Sequence, residues 1–243
     1  MREDAVKSHS KLLTRGYVKS EGQLTAEERA AMNILPRDGY FIPWRIVHNE
    51  GSLSTPCRIV FYASSKTPGG DSLNGVLAKG RNWLIKLQVL LAQFWQCAAA
   101  VTADISIIYN GTKLKAEFLK FQRYLWKVNL NPTCPTEVMY VLTLIYGVKP
   151  SGGQTQVSLE KMAAHFVERQ EKLAGAEILI KEVYVDDVMA SRDSVQECFE
   201  AASDIADILA VGSMAVKAFT FSGQTLSEVV SADGVHVGVG GYL

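Results

Sequence analysis

Two adjacent acids, Asp186 and Asp187, stand in Tyr184-Val185-Asp186-Asp187 between two apolar runs, ILIKEV before them and VMAS after them. Successive side chains on a strand face opposite ways, so only a turn lets neighbouring carboxylates serve one site. The segment therefore predicts a tight hairpin with the acids at its tip. Crowding two like charges is costly. A divalent cation relieves that cost, because magnesium favours carboxylate oxygens together with substrate phosphates. A two-metal site needs a further acid from another strand, and Asp104, isolated among apolar residues in Ala103-Asp104-Ile105, is the candidate. The chemistry such a set supports is phosphoryl transfer. One ion would lower the pKa of an attacking 3′-hydroxyl, and a second would hold a triphosphate and stabilise the departing pyrophosphate. An Asp-Asp pair is also ordinary turn chemistry, so spacing alone leaves a purely structural hairpin open.

Positioning these acids requires strands around them and helices behind. Thr25-Ala-Glu-Glu28 has the capping-box pattern and predicts a short helix through Met32. Residues 39–47 and 57–62 read as a pair of strands, the first with Pro43 suiting an edge. Residues 72–100 have helical spacing, with Leu84, Leu87, Leu90, Leu91 and Phe94 on one face. Residues 98–109 switch to a strand, and 115–127 suit either a helix or a strand. An apolar run at 137–146 leads to a breaker cluster at 147–153. A helix is expected over 154–173, with Met162, Phe166 and Leu173 inward. Strands at 178–184 and 188–191 flank the acids. Ser194, with Glu197 three residues on, caps a helix to Leu209. Residues 212–221 form another strand or hairpin, and the tail VHVGVGGYL alternates like a strand. The expected class is α+β with an antiparallel sheet backed by helices.

The chain has 243 residues, 48% hydrophobic and 21% charged, enough for a sizeable core in one large domain or two small ones. Its longest apolar stretch, Leu84 to Val101, is interrupted by Lys86, Gln88, Gln93 and Gln96, which argues against a membrane span. The first residues, MREDAVKSHSKLL, have no apolar core of a signal peptide. Cys57, Cys97, Cys134 and Cys198 are scattered, so reduced thiols and no zinc site are expected. The implied location is intracellular, cytoplasmic or nuclear rather than secreted. Net charge is zero, from 25 basic and 25 acidic residues, whereas nucleic-acid binders usually carry a basic excess. Bases do cluster locally, at Lys79, Arg81 and Lys86 and again at Lys113, Lys115, Lys120, Arg123 and Lys127. Such clusters either track phosphates or are simply solvated faces.

Several segments, in order, resemble one family. Arg58-Ile-Val-Phe-Tyr-Ala-Ser-Ser-Lys66 is similar to an RVVFDASAK strand, and Ser72-Leu-Asn-Gly-Val-Leu-Ala-Lys-Gly80 to an SLNxxLxxGP segment. Thr102-Ala-Asp104-Ile resembles the first catalytic aspartate strand, Phe121-Gln-Arg-Tyr-Leu-Trp126 an FQRFLW segment, and Thr143 to Ser151 a TLIYGVKPS segment. With the YVDD box, these resemble the reverse transcriptase of BEL/Pao-type long-terminal-repeat retrotransposons, from about Tyr40 onward. The sequence departs from that pattern at Tyr62 (Asp in the family), at Ser106-Ile-Ile-Tyr109 (Glu-Lys-Met-Phe) and at Arg81 (Pro).

The resemblance implies a right-hand polymerase fold: fingers at 1–78 and 111–150, palm at 79–110 and 151–211, and residues 212–243 completing the palm edge and starting the thumb. It implies RNA- or DNA-templated DNA synthesis with Mg²⁺ or Mn²⁺, on a primer–template nucleic acid with deoxynucleoside triphosphates. Thumb, ribonuclease H and integrase parts of a polyprotein would be further partners, in a virus-like particle. The metal set would be Asp104, Ile105, Asp186 and Asp187, and Lys217 would be a general acid beside the pyrophosphate. Arg58 would contact the triphosphate. Tyr109 would lie under the deoxyribose and exclude a 2′-hydroxyl, and Tyr146, Gly147 and Tyr184 would line the nucleotide pocket. Two alternatives stand beside this. One is a catalytically inactive remnant that binds nucleic acid or protein. The other is a viral RNA-dependent RNA polymerase palm, against which the Tyr184 and Tyr109 positions argue.

Overall fold

The computed structural model describes residues 2–35, 40–48 and 57–222. The expected strand start at Gly39, the loop at 49–56 and the alternating tail lie outside them. In chain order the elements begin with α1 (Arg2–Thr14), β1 (Val18–Ser20), α2 (Ala26–Met32), β2 (Trp44–His48), β3 (Cys57–Phe61), α3 (Leu73–Val76), α4 (Leu87–Phe94) and β4 (Ala99–Ser106). They continue with a 3-10 helix (Ala116–Phe121), β5 (Arg123–Lys127), β6 (Thr136–Val141), α5 (Ser151–Glu168), α6 (Leu173–Lys181), β7 (Val183–Tyr184), β8 (Asp187–Arg192), α7 (Val195–Val211) and β9 (Ala215–Phe221). The class is mixed α and β with antiparallel sheets. Among the described residues no helix is long and apolar enough to cross a membrane.

The chain divides into two compact units: residues 1–80 with 112–151, and 81–111 with 152–243. The first unit carries a three-stranded sheet, β1-β6-β5, and the hairpin β2-β3. Local signals set several of its elements. The Thr25 hydroxyl accepts from the Glu28 N–H and the Glu28 carboxylate returns to the Thr25 N–H, so both halves of the capping box form at the start of α2. Asn33 ends that helix in the left-handed region at φ 43°. Residues 115–127 become both of their expected alternatives in turn, a 3-10 helix and then β5. The core of this unit gathers Ile42, Phe61, Tyr124, Trp126, Met139 and Val141. His9 of α1 is buried in it, with its ring stacked on Trp126 at 3.7 Å between centroids and its Nε2 2.7 Å from the Tyr124 hydroxyl.

The second unit is built on one antiparallel sheet, β7-β8-β4-β9. Strand β4 alternates strictly between buried and half-buried residues. Ala99, Val101, Ala103 and Ile105 therefore form one face, and Thr102, Asp104 and Ser106 the other. Helix α7 buries Cys198, Ala201, Ala202, Ile205, Ile208 and Leu209, a stripe at helical spacing. Ser194 caps it, its hydroxyl accepting from the Glu197 N–H.

Three expectations are corrected here. Residues 72–100 are not one helix: α3 and α4 are separated by irregular backbone in which Gly80 takes φ +78°. Of the expected apolar face, Leu90 is buried while Leu87 and Leu91 are exposed. Residues 178–181 are helical, not extended, because α6 docks on α7. A Cβ at Gly175 would overlap the Asp204 Cβ, so the glycine permits that close approach. Ile178 and Leu179 are buried, and Lys172 pairs with Asp204 and Asp207. Their β-branched and aliphatic character suits either state, and packing decides it. Finally, α5 begins at Ser151, three residues before the expected start, and ends at Glu168. Leu173 opens α6 and is exposed.

Candidate active site

The site is best followed along strand β4 of the second unit. Asp104 is the cross-strand partner of Asp187 on β8, in a register that runs without interruption from Ala99↔Arg192 to Asp104↔Asp187. Directly opposed residues share a face, so the two acids emerge together beside Thr102, Met189 and Ser106, away from the Val101–Ile105 face. Strands β7 and β8 are joined by the two-residue turn Val185-Asp186, since Tyr184 pairs with Asp187. Val185 takes φ +61° there, costly for a β-branched residue and of order 1–3 kcal/mol for such strain. The Ile105 N–H donates to the Asp186 carbonyl at 2.7 Å, pinning the turn against β4.

Strand β9 lies on the other side of β4. Its register slips between Ala103↔Phe219 and Ile105↔Val216, so Lys217 and Ala218 together oppose the single residue Asp104. A bulge of this kind re-aims side chains. Here the Lys217 Nζ donates to Asp104 Oδ2 at 2.7 Å, with both side chains about half exposed (52% and 41%).

The electrostatics follow from this crowding. Partial burial, and then the neighbouring Asp186 and Asp104 charges, raise the Asp187 carboxyl above its ordinary range, while Lys217 opposes the rise. Tyr109 is buried at 9% exposure. Burial and then the Asp186 charge push its hydroxyl up. That hydroxyl would stand 3.7 Å from a Cβ at Gly152, in the first turn of α5. A Cβ at Gly153, next along, would lie 3.4 Å from the Arg81 carbonyl and 3.6 Å from the Trp83 ring. The two glycines thus let backbone and rings approach the helix start closely.

Seven of the sequence candidates therefore lie in the second unit: Asp104, Ile105, Tyr109, Tyr184, Asp186, Asp187 and Lys217. Tyr184, half-buried on β7, precedes the turn. Ile105 is 1% exposed and could offer an ion only its backbone carbonyl. Arg58, Tyr146 and Gly147 belong to the other unit. Arg58 is exposed on β3, paired across from Val47, and Tyr146 is exposed at 58%. Gly147 has φ +87°, and a Cβ there would meet the Phe61 carbonyl at 3.0 Å, so only glycine suits the turn.

Asn74 holds that turn, a role not read from the sequence. Its Nδ2 donates to the Gly147 carbonyl at 2.7 Å, its Oδ1 accepts from the Lys149 N–H at 2.8 Å, and its own carbonyl accepts from the Lys149 Nζ at 2.9 Å. The signal was present in Ser72-Leu-Asn-Gly, but nothing in the sequence names the partner 73 residues away.

Could these residues hold metal? In kind they fit: hard carboxylate oxygens, paired in register, with like-charge crowding that a cation would relieve. Among the described residues, however, no group of three or more His, Cys, Asp or Glu side chains converges closely enough to bind an ion. In this arrangement Asp104 is engaged by Lys217. No family model matches the chain, and no curated protein matches it significantly.

Proposed function

We propose that the chain is a reverse transcriptase-like fragment that performs template-directed DNA synthesis, with the second unit as palm and the first as fingers. One observation carries the reading: acids far apart in sequence, Asp104 and Asp187, are cross-strand partners, and Asp186 sits in the turn beside them. A purely structural hairpin has no need of a third carboxylate at that register.

On this reading Asp104, Asp186 and Asp187 would hold Mg²⁺ or Mn²⁺, with the Ile105 carbonyl. When bound, the ions supply charge stabilisation to a phosphoryl transfer and acidify the attacking hydroxyl. The chain's own residues do the rest. The strained turn fixes the two adjacent carboxylates, and the β9 bulge places an ammonium on the Asp104 carboxylate opposite them. Lys217 then has a proton available for departing pyrophosphate, the general-acid role. The buried Tyr109 ring forms a fixed wall beside Asp186, and such a wall disfavours a sugar carrying a 2′-hydroxyl. Tyr184 keeps the nucleotide-contacting role implied by the resemblance. A polymerase must ignore sequence, so primer and template would be held chiefly through phosphates.

The engagement of Asp104 by Lys217 favours a second reading, an inactive remnant that binds nucleic acid without extending it. Primer extension with deoxy- and ribonucleotides, with and without Mg²⁺, separates the two. Metal-dependent incorporation that is lost in Asp104→Asn supports the enzyme. Oligonucleotide binding with no incorporation in either ion supports the remnant.

A further inference from the structure

The 3-10 helix Ala116–Phe121 turns once every three residues, so residues three apart line up on one edge. Its three edges differ sharply. Ala116, Leu119 and Gln122 face inward: Leu119 is 3% exposed in a core with Leu24, Met32 and Tyr140, and the Gln122 Nε2 donates to the Thr143 carbonyl at 3.1 Å. The edge made by Lys115, Phe118 and Phe121 faces solvent, with the two rings 47% and 42% exposed. One turn of such a helix rises roughly 6 Å, so the rings stand side by side as two steps. The Lys120 Nζ lies over the Phe121 ring, 5.5 Å from its centroid, and Lys113 is exposed two residues before Lys115. Within residues 113–121 a single acid, Glu117, offsets three lysines.

Each of the two rings leaves nearly half of its surface in water. Flanked by cations, they match what a single nucleic-acid strand requires: flat surfaces for bases and positive charge for the backbone. We propose that Lys113, Lys115, Phe118, Lys120 and Phe121 form a stacking platform for single-stranded nucleic acid on the first unit. The charge selects this occupant over an uncharged apolar partner. The assignment rests on the polymerase reading only in the class of ligand, because none of these residues belongs to the carboxylate site.

The test is fluorescence anisotropy of a labelled oligo-dT and an oligo-U strand, in EDTA so that the carboxylate site plays no part. The proteins are the full chain and the variants Phe118→Ala/Phe121→Ala, Phe118→Trp/Phe121→Trp and Lys113→Ala/Lys115→Ala. Loss of both rings should weaken binding by about fivefold or more per ring, while the tryptophan pair restores it. The ring variants should keep the salt dependence of the wild type. The lysine pair should lower the slope of log affinity against log salt by roughly 0.7 for each phosphate no longer neutralised. Equal affinity of the ring-deleted and wild-type chains overturns the platform and leaves the polymerase reading standing. So does a ring-dependent loss of binding to anionic vesicles with strand binding unchanged, which would make the patch a membrane surface. Ring-dependent strand binding in a chain that never extends a primer would sink the enzyme and keep the platform.

Discussion

His9 in the first unit and Asp187 in the second are both titratable groups whose surroundings disfavour their charged form, yet the two places are built to opposite ends. His9 sits in a core with a hydrogen-bond partner for its Nε2. Its nitrogen meets the Tyr124 hydroxyl at 2.7 Å, its ring stacks on Trp126, and burial pushes its pKa down to about 4. Around Asp187 charges of one sign are gathered at the surface and left partly exposed, with one ammonium, on Lys217, against the neighbouring Asp104. A satisfied polar group in a core serves stability. Like charges crowded on an open sheet face do not, and the cation proposed above would relieve that crowding.

Four measurements would break or sharpen that contrast. The largest effect is expected from Asp104→Asn. It should lower metal-dependent incorporation by about a thousandfold or more, given the several kcal/mol such ions contribute. The urea midpoint should stay put or rise, since a like charge has been removed. A matching fall in both activity and stability would make Asp104 structural.

Next comes Trp126→Ala, which removes the ring beneath His9 and leaves a cavity. A loss of about 3–5 kcal/mol is expected in equilibrium unfolding. Mn²⁺ binding to any fraction that remains folded should be unchanged.

Third is the acid dependence of the first unit. An unfolded histidine protonates near 6.5, whereas the folded His9 resists until about 4. Protons therefore favour the unfolded chain. The contribution is complete above pH 6.5 and is lost as pH falls toward 4, by up to about 3 kcal/mol. Unfolding curves at several pH values should show this slope, and His9→Phe should flatten it. Asp187 has the opposite sign. Its raised folded pKa means that ionisation weakens the fold, a penalty absent below its ordinary value of 3.8 and growing as pH rises through the folded one.

The smallest effect on stability should come from Lys217→Met. Its half-exposed pair with Asp104 is worth below about 1 kcal/mol. Release of Asp104 should instead tighten Mn²⁺ binding about two- to fivefold, read by electron paramagnetic resonance of the free ion. Incorporation should fall roughly a hundredfold if Lys217 donates the proton. Unchanged Mn²⁺ affinity would show that lysine and metal do not compete for Asp104.

Much of the scaffold was legible in the residues alone. The capping patterns at Thr25 and Ser194 named the starts of α2 and α7, because both partners of each cap lie within three residues. The switch to strand-like residues over 98–109 named β4, and the apolar runs flanking Asp186-Asp187 named a hairpin. Local composition failed where two states were equally open to the chain. The apolar run Ile178-Leu-Ile-Lys181 suited a strand, and only the docking of α6 on α7 past Gly175 made it a helix. Residues 72–100 had helical spacing throughout, yet of the expected face only Leu90 is fully buried, and only α3 and α4 formed.

The site divides the same way. Residue types and spacing named the three acids as candidates, and the family resemblance alone added Lys217. Only the tertiary structure decided that Asp104 faces Asp187 and that a bulge turns Lys217 onto Asp104 Oδ2. It also decided that Asn74 clasps the turn at Gly147. Sheet register and long-range hydrogen bonds depend on the global balance of buried area, which no short window of sequence contains.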